Sequence, residues 1–146
     1  MKIVDFFEAF FWVKKIEGNL KKETLDVLLK KIIYENEKKP LNRLNSERNF
    51  KEIYEKKIMK KLFALEDACI YSGFNAKCLH RTIIQYKWFR GDMGYPVKFV
   101  IGVKKFPFQS HAWVVWKEDN TSFCDSKENI RGYDIIFDSD IDYERL

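Results

Sequence analysis

Three residues in the second half of the chain, Cys78, His111 and Asp125, have the side chains that nucleophilic catalysis needs. His111 is one of only two histidines, and it sits in the apolar, strand-like run SHAWVVW, followed by the turn signal KEDN and then by SFCDS. If Glu118, Asp119 and Asn120 form a three-residue loop, Asn120 takes the left-handed position that asparagine tolerates. Lys117 then pairs with Thr121, Val115 opposes Phe123, and Trp113 opposes Asp125. Strand side chains alternate with period two, so Asp125 becomes a diagonal neighbour of His111, its backbone roughly 7 to 8 Å away. A two-residue loop at Asp119 and Asn120 shifts the register by one and turns Asp125 to the other face.

A carboxylate on one ring nitrogen sets the histidine tautomer, raises its basicity and leaves the second nitrogen free to accept a proton. Cys78 stands at the expected start of a helix, where free N–H groups and the helix dipole favour a thiolate, as an adjacent imidazolium would. Thiolate attack on a carbonyl is the chemistry such a trio performs. Each residue also has a plainer reading: a free cysteine as a small buried hydrophobe, a strand histidine as a hydrogen-bonded structural residue, an aspartate as the cap of a turn.

The remaining candidates are weaker. Cys69 lies on the apolar stripe of a helix and reads as core. Cys124 alternates with Asp125 and should point away from His111. His80 follows Cys78 by two residues on the same helix, so it faces another side. Cys78 and His80 alone are too few ligands for zinc, and nothing in the sequence calls for a cofactor.

The elements that position these residues follow from periodicity. Ile3, Phe6, Phe7, Phe10 and Phe11 recur at helical spacing with Asp5, Glu8 and Trp12 off that stripe, which predicts an amphipathic first helix. Its stripe packs on the core or docks on a membrane surface or partner protein. A second helix begins near Lys21 and runs through LDVLLKKIIY to the polar stretch before Pro40. Ser46 is a plausible N-cap for a long helix carrying Ile53, Ile58, Leu62, Leu65 and Cys69, which Gly73 stops. With Asn75 as a cap, another helix starts near Lys77 and continues to Arg90, where GDMGYP breaks it. From Pro96 the period changes, and PVKFVIGV, SHAWVVW, TSFCD and YDIIF read as strands. Helices followed by strands predict an α+β fold in which a mostly antiparallel sheet packs on helices.

A chain of 146 residues suits one domain and can bury roughly 68 to 70% of its unfolded surface. Residues 1–74 form a helical part and 75–146 the part bearing the trio. Charge is divided: from Glu118 onward there are nine acidic and three basic residues, leaving 24 basic against 13 acidic before it. A basic body attracts nucleic acid, anionic lipid or an acidic peptide, or simply reflects lysine-rich solvated helix faces. Three cysteines without CxxC spacing argue against a disulfide framework and favour a reducing, cytoplasmic setting. MKIVDFFEAFFWVKK lacks the small-residue cleavage site of a signal peptide, and no segment reaches membrane-spanning length.

CLHRTIIQYKWFR, GYPVKFVIGVKKFPFQSHAWV and the later CDS resemble the stand-alone leader peptidase of lasso-peptide biosynthesis, a B-type maturation protein with a papain-related, transglutaminase-like fold. The resemblance runs from Cys78 to Ser126, and its order is specific: Cys-Leu-x-Arg, Gly-x-Pro before Val-Ile-Gly-Val, then Pro-Phe-x-x-His-Ala-Trp-Val. It implies a cysteine protease with Cys78 as nucleophile, His111 as general base and Asp125 as the residue that orients the histidine. The substrate it implies is a ribosomally made precursor peptide, whose leader is removed before a separate cyclase closes a macrolactam. The partners it implies are a leader-recognition protein and the macrolactam cyclase, with no nucleic acid. Val115 stands where the family usually has an acidic residue, and the hairpin before the aspartate is slightly longer. Two rival activities remain: acyl transfer to an amine, and a catalytically silent peptide-binding module.

Overall fold

The computed structural model describes residues 3–42, 50–72 and 78–146, with the backbone alone for 50–56. Among the described residues, four helices precede a small sheet: α1 (Ile3–Lys22), α2 (Leu25–Glu37), α3 (Phe50–Tyr71) and α4 (Cys78–Tyr86). A π-helical turn over Lys87–Asp92 continues α4 and leads to β1 (Val97–Lys104) and β2 (Gln109–Trp116). The short helix α5 (Lys127–Ile130), the strand β3 (Asp134–Asp138) and a 3-10 turn at Tyr143–Arg145 complete the chain. The strands lie in the order β2-β1-β3, both pairings antiparallel, so the molecule is α+β as its sequence predicts.

α1 buries Ala9, Val13 and Ile16 at helical spacing, flanked by the partly buried Phe6 and Phe10. Ile3, Phe7 and Phe11 remain 69%, 62% and 58% exposed, so the expected stripe is rotated. Polar contacts explain the rotation. Asp5 meets Lys61 of α3 at 3.3 Å, Glu8 accepts from the Trp88 indole at 3.0 Å, and Glu17 bonds the His80 ring at 2.8 Å. The acidic residues thus turn toward the protein and carry part of the aromatic face outward.

Other boundaries also move. α1 runs on to Lys22, and Thr24, in extended conformation, opens α2 instead of a start near Lys21. α3 buries Ala64, Leu65, Ala68 and Cys69 against α1. The expected caps and stop at Ser46, Gly73 and Asn75 lie outside the described residues. The helix predicted from Lys77 to Arg90 is α4 plus the π turn, where Arg90 is buried and its guanidinium bonds the Lys39 and Glu37 carbonyls, each at 3.0 Å.

The sheet has two unlike faces. Val97, Phe99 and Val114 point into the main core with Ile83, Ile84, Tyr86, Trp88 and Phe89, while Val100, Trp113 and Val115 form a second cluster with Ile130 and Tyr133. Val115, buried to 1% exposure, belongs to that second cluster. TSFCD is not the expected strand: only Ser122 bridges to Val115, and residues 123–125 bend away.

Candidate active site

His111 opposes Gly102 of β1. Its ring stacks on Trp113 with centroids 5.5 Å apart, and meets Tyr133 at 5.6 Å. Gly102 makes room for this pile, since a Cβ there would come within 2.9 Å of the Trp113 ring and 3.0 Å of Tyr133. Trp113 was legible as a same-face neighbour of His111 from strand alternation. Tyr133 was not, because a residue arriving from beyond a loop leaves no local signal.

His111 Nε2 and Asp125 Oδ2 are 2.8 Å apart, both side chains partly exposed. An ionised carboxylate only accepts, so Nε2 carries the proton, which in a neutral ring leaves Nδ1 as the acceptor. The expected diagonal neighbours are therefore in contact, but by another route. Trp116 N–H donates to Thr121 O and Phe123 N–H to Val114 O, so Val115 opposes Ser122, not Phe123, and Trp113 does not oppose Asp125. Lys117 does not pair with Thr121. Its N–H donates to Pro96 O on the other side, and its ammonium reaches Glu37, so the loop holds four residues, Lys117 to Asn120. Asn120 does take the left-handed conformation, at φ 58°. Asp125 reaches His111 because the ladder ends at Ser122, whose hydroxyl accepts from Asp125 N–H at 2.8 Å and shapes the bend.

Cys78 is the first described residue of α4 and is partly exposed. Thr82, one turn on, donates its hydroxyl to Ala112 O at 2.9 Å. One turn further the Tyr86 ring meets Phe99 at 5.1 Å, and Phe99 opposes Val114. α4 thus advances along β2 in the strand's own direction: four helical residues rise about 6 Å and two strand residues about 6.6 Å. Carried back one turn, the same advance sets the first turn of α4 level with Ser110. The imidazole lies on the Trp113 face, whereas α4 covers the other. α4 and the ring thus lie on opposite faces of β2, and among the described residues no hydrogen bond joins the Cys78 sulfur to His111.

Arg81 lies within charge-interaction reach of both the Cys78 and Cys69 thiols. Arg81 forms a bidentate pair with Glu66, two bonds of 2.9 Å, which raises the arginine and holds the Glu66 carboxyl below its ordinary value. Burial pushes the Cys69 thiol up, as suits a core residue. Cys124 packs against the helix-side core, and His80 is buried on Glu17. Among the described residues no three His, Cys, Asp or Glu side chains could hold a metal ion, and no helix is long and apolar enough to cross a membrane.

Residues 35–138 match the transglutaminase-like superfamily, a span that takes in α3, α4 and all three strands. The chain belongs to that superfamily. Neither the curated proteins nor the solved structures contain a significant match to it.

Proposed function

We propose that this protein is a cysteine peptidase that removes the leader from a ribosomally made precursor peptide during lasso-peptide maturation. One observation carries the reading: an imidazole hydrogen-bonded to a carboxylate at 2.8 Å on the strand against which the cysteine-bearing helix α4 packs. Membership of the transglutaminase-like superfamily supports the cysteine-dependent acyl chemistry, and the ordered motifs from Cys78 to Ser126 support the substrate class.

His111 Nδ1 takes the Cys78 thiol proton, and the thiolate attacks the scissile carbonyl at the junction of leader and core. Backbone N–H groups at the start of α4 stabilise the developing oxyanion. As the C–N bond breaks, His111 returns the proton to the departing amine, which is the new N-terminus of the core peptide. Water, its proton taken by His111, then hydrolyses the thioester and frees the leader's carboxylate. Asp125 holds the ring and stabilises the imidazolium.

The same superfamily also supports acyl transfer, in which an amine replaces water at the second step. Both readings are tested by incubating the protein with a lasso-type precursor peptide bearing its leader, a leader-binding protein and a primary amine, then weighing the products. Free leader acid with a free core peptide supports the peptidase. Leader bearing the added amine identifies acyl transfer. An unchanged precursor, with Cys78→Ala indistinguishable from the parent protein in a binding assay, would leave a peptide-binding module.

A further inference from the structure

We infer that Thr82 is a positioning residue that ties the nucleophile's helix to the base's strand, and this inference rests on the proposed roles of Cys78 and His111. On the outer edge of β2, Val114 O accepts from Phe123 N–H at 2.9 Å. Carbonyls two residues apart in a strand point the same way, so Ala112 O faces the same edge. A regular ladder would give Ala112 the next backbone partner. The chain instead bends after Ser122, and the bend is what delivers Asp125 to His111. The freed carbonyl is taken by Thr82 Oγ1 at 2.9 Å, a buried bond from a side chain only 3% exposed.

One interruption of the ladder therefore does two things. It releases the carboxylate that orients the imidazole, and it opens an acceptor by which α4 is clamped to the residue next to that imidazole. Cys78 lies four residues before Thr82, on the same side of the helix, so the clamp sets both the distance and the rotation of the first turn against His111. A valine there keeps the volume, loses the donor, and leaves Ala112 O buried without its partner.

The test reads the reactivity of Cys78 in the intact protein with iodoacetamide, site by site by mass spectrometry, from pH 5 to 9. In the parent protein, His111 is expected to sustain Cys78 labelling at the acidic end, and His111→Ala to lose it. Thr82→Val should lose on the order of tenfold to a hundredfold of that acid-side rate while labelling near pH 9 changes little, because a misplaced helix separates base from thiol without hiding the sulfur. Thr82→Ser, which keeps the hydroxyl, should restore the profile. Thr82→Val with His111→Ala should be no slower than His111→Ala alone. If Thr82→Val keeps the parent profile where His111→Ala does not, or if Thr82→Ser fails to rescue it, the positioning role is wrong and the proposed chemistry stands. If His111→Ala itself leaves the profile unchanged, the Cys78–His111 pair and the role built on it fall together.

Discussion

The Asp125 carboxylate accepts a 2.8 Å hydrogen bond from His111 although the two residues are joined by no strand ladder. A partner held only by a bend is directed by the Ser122 hydroxyl and the side chains around the ring, not by sheet register. Replacing Asp125 with Asn keeps the size and one acceptor but removes the negative charge that stabilises the imidazolium. Leader release by Asp125→Asn should fall on the order of a hundredfold or more in kcat, with KM changed far less. Chromatographic assay of the freed leader over a precursor titration checks this, and an unchanged kcat would return Asp125 to the role of a turn cap.

The candidate site was partly legible from composition and spacing, and the reason differs from residue to residue. His111 and Trp113 share a face by period two, and Cys78 falls on the helix that runs through IIQYKWF, both local properties that neighbouring residues dictate. Asp125 was identified by a register that the structure does not adopt. Strand pairing depends on whether Lys117 finds partners elsewhere, and its bonds to Pro96 and Glu37 lie far away in the chain. α1 was misjudged in part for a similar reason: the helical spacing of Ile3, Phe6, Phe7, Phe10 and Phe11 suggested one aromatic inner face, but Trp88, Lys61 and His80 offered the acids partners on other helices.

Gly102 is required by the ring pile above it, not by backbone conformation. A methyl group at this position would press Trp113 and Tyr133, the two rings that hold His111. Gly102→Ala should cost about 1 to 3 kcal/mol of stability through overpacking. Its effect on leader release should exceed what the loss of folded protein explains, because the imidazole moves with Trp113. Comparing kcat well below the unfolding temperature with the urea midpoint separates the two effects, and a purely proportional loss would show that the pile is structural only.

Lys98 and Asp138 form an ion pair of 2.7 Å with Lys98 6% exposed, joining β1 to the end of β3. Removing one partner leaves the other buried without its counter-charge, so Lys98→Met should destabilise by about 3 to 5 kcal/mol. Asp138→Asn added to Lys98→Met should cost less than the two changes separately, since both lose the same interaction. Urea unfolding of the two single variants and the double variant gives the coupling, and strict additivity would mean the pair contributes nothing beyond its packing.

Tyr86 connects the chemistry of folding to alkaline pH. Its hydroxyl donates to Glu37 at 2.8 Å inside a group that also holds Arg90 and Lys117. Burial first, then the nearby Glu37 charge and its hydrogen bond, push the phenol far above its ordinary value of 10. The folded chain therefore keeps this proton where the unfolded chain releases it. The stabilisation is fully present below about pH 10 and is lost as pH rises above it, with a limiting slope of about 1.4 kcal/mol per pH unit from this group alone. Tyr86→Phe should be less stable at pH 8, because Glu37 loses a donor. The gap between parent and variant should then narrow through pH 10 to 11 as the parent's advantage titrates away. Urea melts of both proteins at half-unit steps from pH 8 to 11 measure the gap, and a constant difference would mean that the phenol ionises equally easily in both states.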